Sequence, residues 1–248
     1  MRGRFAEPAT GSERGLTLAE ADPAEAERTL CQDPRMDYTA LLGDANSCDV
    51  SDACDRLGLP AARSGGIRPV YPGCPVIAGR IITLTLAPGH GTALGDLVDA
   101  LADAAPVGAE VAFVDLAGRT DLQCWGTVLA TAARLHGIRA AVVDGAVRDV
   151  DGLAGIGFPT AARGVHPAAL RGRLELVGTG RDVVVDGVRV PSGWVVVADV
   201  NGVVCIDAAH AEQVLGTAAE LARAERDLLR RVGTTGDPAR SLQLLRDR

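Results

Sequence analysis

The stretch from Val111 to Asp151 constrains the fold of this chain more than any other part of its sequence. Val111 to Val114 is short, apolar and β-branched, as buried strands are. A loop from Ala117 to Trp125 follows, and apolar residues then recur at helical spacing from Gly126 to His136. Ala140 to Val143 predicts a second strand. We therefore expect a strand, a helix and a parallel strand that form one crossover unit.

The two ends of this unit are expected to place candidate functional groups together. Asp144-Gly145 predicts a turn, which leads to Arg148-Asp149. Because ligands of open α/β sheets gather beyond the carboxyl ends of the strands, this pair and the helix start at Gly126 should share one edge. A helix start attracts anions, arginine binds carboxylates and aspartate binds hard cations. The pattern indicates a pocket for a small anionic metabolite beside a metal, with a plain helix-start ion pair as the alternative interpretation.

Motifs in and around this stretch follow the order found in a known family. The family-like segments are WGTVLATAARLHGIRAAVVDGAVRDVDGL from Trp125, VSDACDRLG from Val50, GGIRP from Gly65, RGVHP from Arg163 and ADVNGVV from Ala198. Together they resemble the RraA-like family, which includes the class II pyruvate aldolases such as 4-hydroxy-4-methyl-2-oxoglutarate aldolase. The likeness extends over most of the chain, and the repeated order of several motifs makes it more specific than any single motif.

The resemblance implies a site and a reaction. A divalent cation, Mg²⁺ or Mn²⁺, would have Asp149 as its direct protein ligand. Arg148 would bind a small anionic 2-oxo acid, whose carboxylate would meet backbone N–H groups at Gly126, Thr127 and Val128. Arg148 and Asp149 would be the catalytic residues of a carbon–carbon lyase that forms pyruvate enolate. Cleavage would follow a retro-aldol or an oxaloacetate decarboxylase type of reaction, with the enolate stabilised by the metal.

Three positions depart from the aldolase pattern, one of them the family's PGD turn, which reads Ser192-Gly193-Trp194 here. The aldolases carry an acid directly after the loop glycine, where this chain has Thr127. They carry another acid three residues after the Arg-Asp pair, where this chain has Gly152, with Asp151 one place earlier. The departures at Thr127 and Gly152 concern the transfer of protons. Asp121 and Asp151 are the acids that remain nearby, and the sequence does not choose between them.

The same resemblance implies the overall organisation. The fold class would be α/β, a compact layered β/β/α fold of the swivelling-domain-like, RraA-like kind, with a mixed sheet and flanking helices. Residues 1–36 would be an N-terminal extension, residues 37–207 the RraA-like domain, and residues 208–248 a C-terminal helix and tail. The family further implies a homotrimer, or a dimer of trimers, with sites at subunit interfaces.

Periodicity and turn residues predict most of the remaining elements. Helices are expected at residues 38–42, 50–57, 94–104 and 208–232, a loop at 61–73, strands at 76–86 and 157–161, and a hairpin turn at Asp186-Gly187.

Composition excludes several classes of function. The net charge of −7 argues against a nucleic-acid surface. The sequence contains no apolar run of membrane-spanning length, and its N-terminal segment lacks the apolar core of a signal peptide. The six cysteines have no metal-site spacing and read as thiols of a reducing compartment. We expect a cytoplasmic protein that binds neither nucleic acid nor membranes.

Three functions are compatible with these observations. The first is a metal-dependent lyase acting on a 2-oxo acid. The second is a non-catalytic, RraA-like regulator that binds a ribonuclease, which the absence of acids at Thr127 and Gly152 favours. The third is a specialised aldol-type enzyme or lyase of secondary metabolism with a changed substrate. The altered acids and the N-terminal extension favour this third function.

Overall fold

A computed structural model describes residues 36–91, 94–104 and 108–235, together with residues 239, 240 and 243. The helices are α1 (Tyr38–Leu42), α2 (Ser47–Leu57), α3 (Leu94–Ala104), α4 (Thr127–Leu135), α5 (Val150–Gly155) and α6 (Ala211–Thr235), the last preceded by a 3₁₀ turn at Ala208–His210. The strands are β1 (Ala61–Ser64), β2 (Arg68–Pro69), β3 (Ile77–Pro88), β4 (Val111–Asp115), β5 (Gln123–Trp125), β6 (Ala140–Val147), β7 (Thr160–Val165), β8 (Leu174–Thr179), β9 (Val183–Val185), β10 (Val188–Val190), β11 (Val195–Asp199) and β12 (Gly202–Ile206).

The main sheet is mixed, and its parallel strands lie at the centre. The strand order is β1-β12-β11-β3-β4-β6-β7-β2, with β5 beside β6 and β8 beside β3. Strands β3, β4, β6 and β7 pair in parallel, whereas the pairs toward β1 are antiparallel. Helix α4 leads from β5 into β6, so the predicted parallel crossover between β4 and β6 is confirmed.

The first four residues of β4 and of β6 are apolar because both faces of these strands are buried. Phe113 lies opposite Val142 and Val114 lies opposite Val143 in the parallel register. Alternate residues of a strand point to opposite faces. Phe113 and Val142 therefore enter one core, and Val114 and Val143 enter another. A sheet covered on both sides requires such continuous apolar runs.

Three apolar cores define the layers of the molecule. The first lies between the parallel strands and α3, α4 and α5, and it contains Trp125 and Phe158. The second lies under α1, α2 and α6 and includes Leu215 of α6 together with Val197 of β11 and Val204 of β12. The third lies between the two halves of the sheet and joins Phe113 to Val196. The expected α/β class, with a mixed sheet, β/β/α layering and flanking helices, is confirmed.

Two predictions of local structure are wrong. The sequence predicts a turn at Asp144-Gly145, but β6 continues through both residues to Val147. A Cβ atom on Gly145 would lie 2.8 Å from Cβ of Leu116, so this glycine permits a close approach between neighbouring segments. The predicted loop at residues 61–73 contains β1 and β2, whose partners are the distant strands β12 and β7.

Several element boundaries also differ from the predictions. The predicted loop before the site ends in strand β5, and β7 begins at Thr160, three residues later than expected. Helix α2 begins at Ser47 because Asn46 caps it and forms a capping box with Asp49. Helix α6 continues past Gly233, the predicted stop, to Thr235. The hairpin turn at Asp186-Gly187 joins β9 to β10 as predicted.

The two terminal segments have different outcomes. The predicted N-terminal extension, residues 1–36, lies outside the described residues except for Met36. Helix α6 packs its buried face, including Val214 and Ala218, into the second core beside α1 and α2. Among the described residues, no helix is both long enough and apolar enough to cross a lipid bilayer.

Alanine in place of Gly202 is expected to destabilise the fold by about 1–3 kcal/mol. Gly202 has a φ of 145°, and a Cβ atom there would lie 2.4 Å from the backbone oxygen of Ser64. The matched control is Gly216→Ala in helix α6, where a Cβ atom would meet nothing within 4 Å. The control should raise stability by up to about 1 kcal/mol because alanine favours helices. Urea unfolding of both variants tests the prediction, and equal effects would contradict it.

Candidate functional site

The starts of helices α4 and α5 lie side by side at the carboxyl end of the parallel strands. Strand β5 pairs in parallel with the end of β6. The backbone N–H of Arg148 donates to the carbonyl oxygen of Trp125 at 2.9 Å. This pairing places Gly126, the residue before α4, directly against Arg148 and Asp149, the residues before α5.

Gly126 makes the closest approach to the Arg-Asp pair. A Cβ atom at this position would lie 3.0 Å from Oδ2 of Asp149 and 3.1 Å from Cγ of Arg148. A larger residue would therefore push both side chains away from the start of α4. The glycine that the sequence identifies as a helix opener is needed here for space.

Anion-binding groups converge at this rim. Gly126 is the N-cap of α4 and provides no side-chain cap, so the first N–H groups of the helix, those of Thr127 and Val128, are not satisfied by a capping side chain. Arg148 Nε lies 3.3 Å from Asp149 Oδ2, and the two side chains are 37% and 45% exposed. The structure thus brings together the predicted groups at Gly126, Thr127, Arg148 and Asp149, whereas the side chain of Val128 points to the surface.

Asp149 has an unusual backbone conformation, and its carboxylate does not cap the helix that it precedes. Its φ and ψ are 55° and 42°, in the left-handed region. It occupies the N-cap position of α5, yet its side chain forms no capping hydrogen bond with that helix. The carboxylate turns instead toward Gly126 and Arg148, where it is half-exposed at the rim.

The donor set around Asp149 suits one kind of divalent site. Among the described residues, no group of three or more His, Cys, Asp or Glu side chains could hold a metal ion. Mg²⁺ often keeps several waters and takes only one or two carboxylates together with oxygens of its substrate. A single half-exposed carboxylate beside a helix start without a side-chain cap fits a Mg²⁺ site of this kind.

The two remaining acids near the site differ in their surroundings. Both carboxylate oxygens of Asp121 accept hydrogen bonds from Arg119, at 2.9 and 2.6 Å. The bond from Arg119 lowers the pKa of Asp121, which makes this carboxylate a weaker base. Asp151 lies in the first turn of α5 and is exposed.

A charged network on the neighbouring strands was not found from the sequence. Arg163 on β7 donates from Nε to Asp144 on β6 and, at 2.6 Å, from a terminal nitrogen to Asp186 in the β9–β10 hairpin. Asp144 is 2% exposed. The three side chains line a cleft of about 400 Å³ with Ala117 and Gly118. The RGVHP motif and the Asp186-Gly187 turn were visible signals, but nothing in the sequence pairs them.

Burial and hydrogen bonding set the pKa values in this network. Burial raises the pKa of Asp115, which lies opposite Asp144 in the sheet, and the charge of Asp144 raises it further. The hydrogen bond to Asp144 raises the pKa of Arg163. Hydrogen bonds from Ser64 and then Arg163 lower the pKa of Asp186. The network therefore keeps Arg163 cationic and Asp186 ionised at neutral pH.

Comparison with known proteins identifies the family. The model of a family described as RraA-like, Aldolase/RraA, matches residues 47–205. The chain belongs to the RraA-like family. The resemblance seen in the sequence motifs is thereby confirmed, over a range that includes both helix starts of the site.

Two curated relatives are similar over most of this chain. Protein DlpA of Legionella pneumophila is 27% identical over 196 residues, which are 78% of this chain and 31% of DlpA. The chain thus spans about a third of that relative's length. An uncharacterized protein of Methanocaldococcus jannaschii is 28% identical over 183 residues, 74% of this chain and 84% of that protein.

Solved structures share the RraA-like fold. An uncharacterized protein from Pseudomonas syringae matches 82% of this chain and 96% of its own with a TM-score of 0.67 at 22% identity. Streptomyces coelicolor RraAS2, described as an unusual member of the RNase ES inhibitor RraA protein family, matches 78% of this chain and 97% of its own with a TM-score of 0.67 at 23% identity. At these identities the likeness establishes the fold.

Proposed function

We propose that this RraA-like protein is a divalent-metal-dependent carbon–carbon lyase that acts on a small 2-oxo acid. The observation that carries the proposal is the contact across Gly126. There the Asp149 carboxylate, the Arg148 side chain and the uncapped start of α4 lie within one small region. A cation ligand, a carboxylate-binding cation and amide donors are the groups that a chelated 2-oxo acid requires.

Each group has a separate role in this proposal. The N–H groups of Thr127 and Val128 bind the substrate carboxylate at the positive end of the α4 dipole. Arg148, which is 37% exposed, reaches the same anion and stabilises the negative charge that develops on the keto oxygen. Asp149 holds Mg²⁺ or Mn²⁺, which would act as a Lewis acid on the keto acid.

The positions of the acids favour decarboxylation over retro-aldol cleavage. In decarboxylation of oxaloacetate, the bond to the departing carboxylate breaks, CO₂ leaves, and the resulting pyruvate enolate takes up a proton. Retro-aldol cleavage additionally needs a base to remove the proton of the 4-hydroxyl group. Thr127 and Gly152 provide no such base. Asp121 is held by Arg119, and Asp151 is exposed in the first turn of α5.

Pyruvate release tests the proposed function. We expect purified protein with Mg²⁺ or Mn²⁺ to release pyruvate faster from oxaloacetate than from 4-hydroxy-4-methyl-2-oxoglutarate. Lactate dehydrogenase and NADH report the product. The same cation without protein is the control, because cations alone decarboxylate oxaloacetate slowly. Rates on both substrates that do not exceed this control would overturn the proposal.

A second candidate is a regulator that binds a ribonuclease. The observation that favours it is the replacement of both acids by Thr127 and Gly152, together with the description of RraAS2 as a member of an RNase inhibitor family. The test adds the protein to an RNase E-type ribonuclease and follows cleavage of a short RNA. Inhibition without pyruvate release would favour the regulator over the lyase.

A ring of three subunits, or a pair of such rings, is the assembly that accompanies this proposal. The exposed apolar side chains of Val128 and Leu135 on α4, at 61% and 82% exposure, lie on the helix that opens at the site. Burial of such side chains by a neighbouring subunit would be favourable. Light scattering coupled to size-exclusion chromatography measures the mass, and a monomer would contradict a site shared between subunits.

A further inference from the structure

Asp149 requires support to keep its conformation. The left-handed region is sterically unfavourable for a non-glycine residue, although aspartate tolerates it better than most residues. Asp149 receives no compensation from capping α5 with its own side chain. The position of its carboxylate therefore depends on what its backbone contacts.

Thr127 provides such a contact from the other helix. Its hydroxyl Oγ1 donates to the backbone oxygen of Asp149 at 3.2 Å. The same oxygen accepts the N–H of Leu153 at 2.9 Å, the first hydrogen bond of α5. Two donors from different helices thus orient one carbonyl group, and with it the peptide that follows Asp149.

Gly152 leaves the space that Thr127 occupies. A Cβ atom at Gly152 would lie 2.3 Å from Oγ1, 3.2 Å from Cβ and 3.3 Å from Cγ2 of Thr127. No other residue fits at this position while Thr127 keeps its place. The departures from the aldolase pattern at Thr127 and Gly152 are therefore coupled, because the threonine side chain leaves room only for a glycine.

We propose that Thr127 and Gly152 form a positioning pair that holds Asp149 in its left-handed conformation, so that its carboxylate stands against Gly126 beside Arg148. The inference rests on the proposed function in one respect, that Asp149 is the cation ligand. Thr127 acts through Asp149 and is a positioning residue. In this chain the pair stands where the aldolase pattern has two carboxylates, so Asp149 would be the carboxylate that holds the cation at this rim.

Binding of Mn²⁺ without substrate, followed by the electron paramagnetic resonance signal of the free ion, tests the pair. Thr127→Val keeps the shape and removes the donor, and we expect about a tenfold loss of Mn²⁺ affinity, as for other residues that orient a metal ligand. Thr127→Ser keeps the donor and should stay within about twofold of wild type. The matched control is Thr131→Val, which removes a hydroxyl bond to Thr127 O within α4 and should leave the affinity unchanged.

A double variant tests the dependence between the two positions. Gly152→Ala alone should weaken Mn²⁺ binding at least about tenfold. Thr127→Ala removes Oγ1 and Cγ2, so Thr127→Ala/Gly152→Ala should bind no worse than Thr127→Ala. Losses that multiply in the double variant, or a Thr127→Val affinity equal to that of wild type, would overturn the positioning pair.

Urea unfolding separates this inference from the proposed function. Wild-type protein that binds no Mn²⁺ would refute the proposed metal site. The unfolding midpoints would then test the contact between Thr127 and Gly152. The midpoint of the double variant should fall by less than the sum of the decreases in the two single variants. Additive midpoints would overturn the pair irrespective of metal binding.

Discussion

Asparagine in place of Asp149 is expected to abolish detectable Mn²⁺ binding and to lower the rate of pyruvate release by roughly 10³-fold. The estimate follows because a Lewis acid contributes several kcal/mol to the barrier and each 1.4 kcal/mol is tenfold in rate. Asparagine is a suitable replacement because it tolerates the left-handed conformation of Asp149. The fold should therefore survive, and only the charged ligand is lost.

The neighbouring acid provides the comparison for this variant. Asp151→Asn changes an exposed carboxylate in the first turn of α5 and should bind Mn²⁺ as wild type does. The rate of pyruvate release by the Asp151→Asn variant then shows separately whether Asp151 takes part in proton transfer. Calorimetry with Mn²⁺ and the coupled pyruvate assay give both quantities. An Asp149→Asn protein with wild-type Mn²⁺ affinity would remove Asp149 from the metal site.

Methionine in place of Arg163 is expected to destabilise the protein by about 3–5 kcal/mol. Asp144 is 2% exposed, and its carboxylate accepts a hydrogen bond from Nε of Arg163. Loss of the guanidinium leaves a buried carboxylate uncompensated, and it also frees the β9–β10 hairpin from its bond at Asp186. Urea unfolding measures the free energy of unfolding of each variant.

Two further variants are compared with Arg163→Met. Arg163→Met/Asp144→Leu removes both buried charges and should recover most of the lost stability, since apolar replacements of a buried pair are often neutral. Arg189→Met breaks the pair with Asp182, whose side chains are 73% and 39% exposed, and should cost only about 0–1 kcal/mol. Similar losses for Arg163→Met and Arg189→Met would show that burial of Asp144 is unimportant.

The contribution of the same network to the stability of the fold depends on pH. Ser64 and Arg163 lower the pKa of Asp186 in the folded protein. A carboxyl group whose folded pKa is lowered contributes stability above its unfolded pKa and loses it as the pH falls through the folded value. The Asp186 contribution should thus be complete at neutral pH and disappear at acid pH, and it should be smaller in Arg163→Met.

The central unit was predictable because its local pattern and its environment agree. Strands β4 and β6 are buried on both faces, so each begins with four apolar residues, and α4 carries an apolar stripe between them. The proximity of Gly126 to Arg148 and Asp149 followed from the geometry of a parallel crossover. The family motifs then identified the fold class, which periodicity alone would have left open among α/β folds.

The errors arose where partners are distant in the chain. Asp144-Gly145 carries residues typical of a turn, yet β6 continues because Arg163 neutralises Asp144 and Gly145 lets Leu116 approach. The local sequence predicts a loop at β1 because its apolar pattern is short, and its pairing partner β12 lies about 140 residues later in the chain. Neither compensation can be read from a local window of sequence.

By itself the sequence determined which residue types are available at the rim and in what order, because glycine, arginine and aspartate keep their chemistry in any fold. Only the tertiary structure decided that Thr127 and Gly152 are in contact and that Asp149 adopts a left-handed conformation. The physical reason is packing. Thr127 and Asp149, which are twenty-two residues apart in sequence, meet where the two helices begin, as the 3.2 Å hydrogen bond between them shows. At that distance each side chain limits what the other position can hold.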